Sequence, residues 1–275
     1  MADQKDILAE ETIQKYLKEN CRDLQLHVFP VVDSTNILLR RKAKEGVPEG
    51  CVVIAGEQTK GKGRLGRSFY SPSDTGVYLS LLLRPENILP EQAVHITTIA
   101  AVAACEAIER VSGRKAGIKW VNDIYMDGKK VSGILTEASP CREQEGFDYV
   151  ILGIGFNVCP PKGGFPEDIG AVAGSIFPEQ REREKNFLAA EFLNRFMHYY
   201  RTDAKKHYVE RYRERCFVIG KDIYVLTPGE KKRAHVEDVD QSCHLVVQYE
   251  DGTIEHLASG ENQYPSGEQL VNANS

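Results

Sequence analysis

The chain has no basic excess. Its 35 Lys and Arg stand against 40 Asp and Glu, a formal net charge of −5 over 275 residues. A protein that coats nucleic acid needs the opposite balance to hold phosphates. It also has no apolar run of bilayer length. The most apolar helical stretch, Val94 to Ile108, is interrupted by His95, Thr97, Thr98 and Glu106 and falls short of the ~18 residues a span requires. The opening MADQKDILAEE is acidic and polar, without the basic flank and apolar centre of a signal peptide. Paired cysteines are missing as well. Cys21, Cys51, Cys105, Cys141, Cys159, Cys216 and Cys243 are odd in number and widely spaced, with no C-x-x-C. That speaks against structural zinc and a disulfide framework, and it fits a reducing cytoplasm. The 7 histidines show no ligand spacing. No Ser-His or Cys-His arrangement offers a covalent nucleophile. Disorder over the whole chain is excluded, because 41% of the residues are hydrophobic and can bury a core.

What is present reads as alternating strands and helices. An amphipathic helix is expected over 6–19, a strand over 26–32, and a helix from Asp33-Ser34-Thr35-Asn36 through about Glu45, the polar tetrad serving as its cap. Strands follow over 50–58 and 76–85, then a buried helix from Val94 to about Arg110. Residues 117–139 read as strand, turn, hairpin at Asp127-Gly128 and strand, and 149–158 as a further strand. A broad amphipathic helical region runs from Lys185 to about Cys216. After Gly220 the pattern becomes short alternating strands with tight turns, ending at Ser259-Gly260-Glu261, as in a small all-β barrel. The expectation is an α+β domain over 1–215, a mixed sheet with helices, and a barrel-like domain over 216–275.

The loop Gly61-Lys62-Gly63-Arg64-Leu65-Gly66-Arg67 fits G-x-G-x-x-G literally. The dinucleotide fingerprint needs a helix to start on the loop, but Phe69, Tyr70, Ser71 and Pro72 and then a strand follow. The G-K-[ST] of a phosphate-binding P-loop is also absent. What remains is a flexible backbone with three cations, suited to folding over a polyphosphate; the plain alternative is a solvated basic loop. In KWVNDIY (119–125), Lys119, Asn122 and Asp123 flank Trp120 and Val121. A solitary Trp is more often core than site, whereas Asn122 and Asp123 can orient a phosphate or a hydrated magnesium ion. Lys130 opens the strand after the hairpin, and Gly133 leaves room beside it. Gly153 and Gly155 interrupt an otherwise apolar strand, so something packs closely there or the strand bulges.

Taken together, DSTN at 33–36, Glu57-Gln58-Thr59 leading into GKGRLGR, KWVNDIY with Lys130 eleven residues after Lys119, and GIGFN at 153–157 resemble the biotin protein ligase family in order and spacing, across roughly residues 6–265. The resemblance implies a class II aminoacyl-tRNA synthetase-like catalytic domain and a C-terminal SH3-like domain. It implies two steps. Biotin and ATP, with Mg2+, give biotinyl-5′-adenylate, and the acyl group then passes to a lysine of a biotin carboxyl carrier domain of a carboxylase. It assigns the biotin head to Ser34, Thr35, Asn36 and Gln58, and the closing loop to Gly61, Lys62, Gly63 and Arg64. Gly133, Leu135 and Gly155 shape the biotin pocket. Arg64, Arg67, Phe69, Asn122 and Asn157 serve the nucleotide, and Lys130 lies between the biotin carboxylate and the α-phosphate. Lys130 and Arg64 are the expected catalytic residues, no metal ligands are assigned, and Asp123 is the candidate to accept the acceptor lysine's proton.

Two positions depart from the family pattern. Lys62 stands where that loop usually has a first Arg, which keeps the charge but loses the planar fork. Phe69 stands where the aromatic near the adenine is commonly Trp, so stacking survives without the indole donor. Many family members begin with a DNA-binding winged helix-turn-helix. Here the segment before Asp33 has room for one helix and a strand, so the expectation is a cytoplasmic ligase without repressor activity or DNA, not attached to a membrane, a monomer or homodimer. The rival readings are a lipoate ligase of the same fold and a biotin sensor without catalysis.

Overall fold

Branched aliphatic strands and one alanine-rich helix dictate the architecture. In the computed structural model the described residues are 6–85, 93–141, 146–181, 184–202, 207–227, 230–258 and 260–263. The elements are α1 (Glu10–Tyr16), β1 (Gln25–Phe29), α2 (Thr35–Lys44), β2 (Cys51–Ala55), β3 (Gly76–Leu83), α3 (Val94–Ser112), β4 (Gly117–Lys119), β5 (Asp123–Met126), β6 (Lys129–Pro140), β7 (Phe147–Asn157), α4 (Glu167–Gly170), α5 (Glu184–Thr202) and α6 (Tyr208–Arg215). The C-terminal strands are β8 (Asp222–Thr227), β9 (Glu230–Val239), β10 (Leu245–Tyr249), β11 (Ile254–Leu257) and β12 (Glu261–Gln263).

The first seven strands form one mixed sheet in the order β1-β2-β3-β7-β6-β5-β4. Only β1 and β2 pair in parallel, with α2 as their crossover. The strands of this sheet alternate sides at every residue. Val52, Ile54, Leu79 and Leu81 face the larger core, while Cys51, Val53 and Leu82 pack with Leu39 and Ala43 of α2. All of these are 4% exposed or less, and each large one contributes about 1.5–3 kcal/mol by leaving water. Alanine, the best helix former, fills the inner face of α3, so this helix lies close to the sheet and to α5. The helix stops at Gly113, whose φ of 70° closes the end with an N–H to the Glu109 carbonyl at 2.9 Å, as glycine does at helix C-termini. The expected hairpin between β5 and β6 turns at Asp127 and Gly128, with φ of 47° and 74°, the pair of positive values that a two-residue turn needs.

The second sheet, β11-β10-β9-β8-β12, is antiparallel throughout, the small all-β module expected after Gly220. Its inward side chains Ile223, Val225, Val236 and Val247 join the same apolar cluster as Trp120, Tyr212 and Val218. The expected helix over 185–216 is two helices, α5 and α6, and residues 203–206 between them lie outside the described residues, as does Ser259. The expected helix over 6–19 is shorter, because α1 ends at Tyr16 and a single 3-10 turn, Glu19–Cys21, follows. The cysteines are unpaired and all buried except the half-buried Cys141. Burial pushes the Cys21 thiol up to about 11 and Cys216 to about 12, as befits small apolar fillers. Among the described residues, no helix is long and apolar enough to cross a membrane.

Candidate active site

Two pockets adjoin where the loop after β2 crosses β5, β6 and β7. The narrower one is lined by Ser34, Thr35, Asn36 and Gln58 on one side and by Leu135 and Gly155 on the other. Ser34 occupies the N-cap position of α2, yet its side chain makes no capping bond, so the helix-cap role suggested by the tetrad is not what its hydroxyl does. Thr35 donates through its backbone N–H to Gln58 Oε1 at 2.9 Å. Gln58 Nε2 donates to Ser71 Oγ at 3.0 Å, and Ser71 donates to the Phe69 carbonyl at 2.9 Å. Asn36 lines the pocket, but protein groups engage its amide: Glu137 at 2.8 Å, the Leu135 carbonyl at 3.4 Å and Ser80 Oγ at 2.6 Å.

The wider pocket is cationic. Lys62, Gly63, Arg64 and Arg67 reach it from the loop, and Lys119, Asn122 and Lys130 from the sheet. The loop is folded on itself rather than extended, with Gly63 N–H to the Arg67 carbonyl at 2.8 Å and Phe69 N–H to the Gly61 carbonyl at 3.0 Å. A single tight turn, Arg64–Gly66, with Leu65 in the left-handed region at a φ of 53°, stands in place of the helix that a dinucleotide site would require. Gly61 lines neither pocket. It lies behind the loop, where a Cβ would fall 2.3 Å from the Phe69 carbonyl. Arg64 donates to Asn122 Oδ1 at 2.9 Å, and the Asn122 amide donates to the Ile134 carbonyl at 2.9 Å, so loop and sheet are tied at this point. Lys130 Nζ sits 2.6 Å from Asp123 Oδ1, with both side chains about one-quarter exposed.

Phe69 borders both pockets. Gly133 and Gly155 are partners across β6 and β7, and the Phe69 ring packs on both. A Cβ would meet the ring at 2.4 Å from Gly155 and at 3.1 Å from Gly133. The room those glycines leave is taken by this aromatic wall. Gly153 serves another purpose, since a Cβ there would lie 2.1 Å from Asn36 Oδ1.

Asn157 lines neither pocket. Its amide donates at 3.0 Å to the carbonyl of Gly174, in a strap after α4 that the sequence reading left undescribed. The strap pairs with the lysine itself, through Lys130 N–H to the Val172 carbonyl at 2.8 Å and Gly174 N–H to the Lys130 carbonyl at 2.9 Å. Gly174 is forced, because a Cβ would stand 2.5 Å from Lys129 Cβ. Trp120 is both core and site. It is 4% exposed, borders the cationic pocket and donates its indole N–H to the Cys243 carbonyl at 3.1 Å. The neighbouring Val121 carbonyl accepts from the Tyr212 hydroxyl at 3.1 Å, and Gly260, just before β12, also borders this pocket.

Residues 28–157 match the biotin/lipoate A/B protein ligase family, and residues 218–261 match the biotin protein ligase C-terminal domain. A bifunctional ligase/repressor of Bacillus subtilis is 38% identical over 169 residues, 62% of this chain and 51% of that protein. The chain therefore spans about half the length of that relative. A biotin–[acetyl-CoA-carboxylase] ligase of Mycobacterium tuberculosis is 27% identical over 240 residues, 84% of this chain and 85% of that one. The solved biotin protein ligase of Aquifex aeolicus, in complex with biotin and ATP, superposes with a TM-score of 0.72 at 27% identity, over 87% of this chain and 97% of that one. The chain thus carries, in order, a biotin/lipoate A/B protein ligase domain and a biotin protein ligase C-terminal domain, on the fold of that solved biotin protein ligase.

Proposed function

We propose that this chain is an ATP-dependent biotin protein ligase, a carbon–nitrogen bond-forming enzyme. The biotin carboxylate attacks the α-phosphorus of ATP, the bond to the bridging oxygen breaks, and pyrophosphate leaves. A deprotonated lysine amine of a biotin carboxyl carrier domain then attacks the acyl carbon, AMP leaves, and the amide remains. The observation that carries this reading is the placement of Lys130 on the cationic side of the Phe69 wall, with the arginine-bearing loop tied across to Asn122 at 2.9 Å. Biotin belongs in the narrower pocket, its head near Ser34, Thr35 and Gln58, and the nucleotide in the wider one.

Bringing a carboxylate to a phosphate sets anion against anion. Lys130 and Arg64, with Arg67 beside them, supply positive charge where negative charge builds in the transition state. A folded loop over the adenylate keeps water from the anhydride. Magnesium fits as an ion carried in on the ATP phosphates, since it binds through one or two carboxylates plus substrate oxygens and the wider pocket offers the one carboxylate of Asp123. Asp123, already beside Lys130, is the group within reach to take the proton of the incoming amine. Asn36 and Asn157 support the pocket walls rather than the ligands. The setting is the cytoplasm.

The test is a substrate panel. Full-length protein with MgATP and biotin, lipoate or octanoate is assayed for pyrophosphate release and for labelling of a carrier domain. Pyrophosphate and label with biotin alone support the reading. Activation of lipoate instead of biotin overturns it in favour of a lipoate ligase, and biotin binding without pyrophosphate makes the chain a sensor.

A further inference from the structure

A hydrogen-bonded chain runs beneath the narrower pocket, and one end of it is a carboxylate outside the family motifs. Glu137, on β6, accepts from the Asn36 amide at 2.8 Å and is ion-paired with Arg40. A carboxylate accepts and does not donate. The Asn36 nitrogen must therefore face Glu137, and its oxygen must face the other way, toward Ser80 Oγ at 2.6 Å. An amide oxygen also only accepts, so Ser80, which is 0% exposed, gives its single proton to Asn36. The contact of Ser80 Oγ with Thr35 Oγ1 at 2.7 Å is then completed by the Thr35 proton, or that proton goes to Gln58 Oε1 at 3.1 Å. Both choices turn it inward, and the Thr35 hydroxyl shows the pocket only lone pairs. At the other end, the Thr35 N–H holds Gln58 Oε1 at 2.9 Å and Ser71 takes one proton of Nε2 at 3.0 Å. The second amide proton of Gln58 is left as a donor on the pocket side.

We infer that Glu137 is a positioning residue that, through Asn36 and Ser80, keeps the Thr35 hydroxyl an acceptor toward the ligand. The site then takes a molecule that presents an N–H to Thr35 and a carbonyl to Gln58, which is one edge of a cyclic urea. This rests on the reading that biotin's head occupies the narrower pocket, and it adds what enforces the choice. Selectivity comes from a half-buried carboxylate three hydrogen bonds away, because an ill-matched ligand leaves a desolvated lone pair unpaired.

The test compares biotin with its two cyclic carbamate analogues, in each of which one ring N–H is replaced by oxygen. Dissociation constants are measured by calorimetry on the full chain, with thermal melts to confirm folding. The wild type should prefer biotin over the poorer carbamate by about 10- to 100-fold. Glu137→Gln places a group there that can donate, so Asn36 can turn over and Thr35 can point its proton outward, and the preference should fall to within about threefold. Ser80→Ala cuts the same chain at a second point and should do likewise. Arg40→Gln removes the ion pair but leaves the carboxylate, and should keep the wild-type preference within about twofold. The inference is overturned if Glu137→Gln and Ser80→Ala keep the preference, if Arg40→Gln erases it equally, or if the wild type shows none while binding biotin. A wild type that fails to bind biotin overturns the functional reading and takes this inference with it.

Discussion

Replacing Gly174 by Ala tests whether the strap holds the lysine in place. The new methyl carbon would stand 2.5 Å from Lys129 Cβ, a backbone-anchored atom that cannot swing aside. Ordinary contact needs a further ~1 Å, and forcing such an overlap costs about 1–3 kcal/mol. The least costly escape is for the strap to lift. That breaks the pair of backbone hydrogen bonds it makes with Lys130, at 2.8 and 2.9 Å, together worth about 1–3 kcal/mol. The lysine would keep its side chain and its Asp123 partner but lose the register that aims it. A displacement of about 1 Å at a charged group in an active site costs on the order of 100-fold in rate. We expect pyrophosphate release with biotin and MgATP to fall about 30- to 100-fold in kcat, with biotin affinity changed less than about threefold. Either the overlap or the lifted strap costs the folded state about 1–3 kcal/mol, so Tm should fall by about 2–12 °C while the protein stays folded at assay temperature. Single-turnover kinetics beside a calorimetric scan decide the matter. Wild-type kcat in a folded Gly174→Ala protein would refute the reasoning.

Three further outcomes follow from the same geometry. Lys130→Ala should abolish adenylate formation, below about 1% of wild type, with the melting curve unchanged; pyrophosphate release at the wild-type rate contradicts its role. Arg64→Gly breaks the 2.9 Å tie to Asn122, so biotinyl-adenylate should leave the protein at least about tenfold faster in a chase experiment, and unchanged retention counts against the loop as a lid. For Asp240, burial raises the carboxyl, but the His256 hydrogen bond and the His244 and Ser242 amides outweigh it and hold the carboxyl below the usual range. A lowered folded value means that its contribution is complete above the ordinary carboxylate pKa of about 3.9 and is lost as pH falls through the folded one. Asp240 Oδ1 ties the turn that presents the Cys243 carbonyl to Trp120, and this is the chain's 1 tryptophan. Its emission should hold steady from about pH 8 to 4.5 and shift below about pH 4, whereas a midpoint near pH 6 would point to a histidine instead.

The elements most legible in the sequence are those with strong local signals. The alanine-rich α3 and the strands around Val52 and Leu79 were readable from composition and period, and the Asp127-Gly128 turn from its dipeptide. The cationic loop was readable because its glycines and charges do not suit a helix. Long-range packing was not. Gly133 and Gly155 signalled a close approach but could not say that Phe69 makes it. Asn36 and Asn157 sit in motifs, and only the fold supplies the protein groups that engage their amides. Ser80 was open to notice, as a polar residue within the apolar run GVYLSLLL. Glu137 and the strap at 171–174 carry no local mark, since what they do depends on partners more than forty residues away in sequence.

Because side chains from both sheets fill one uninterrupted apolar interior, with Trp120 and Tyr212 at the seam, the two regions are not beads on a string. Heating should melt them together in a single cooperative step, and a nucleotide seated against Trp120 should lend heat resistance to strands it never touches.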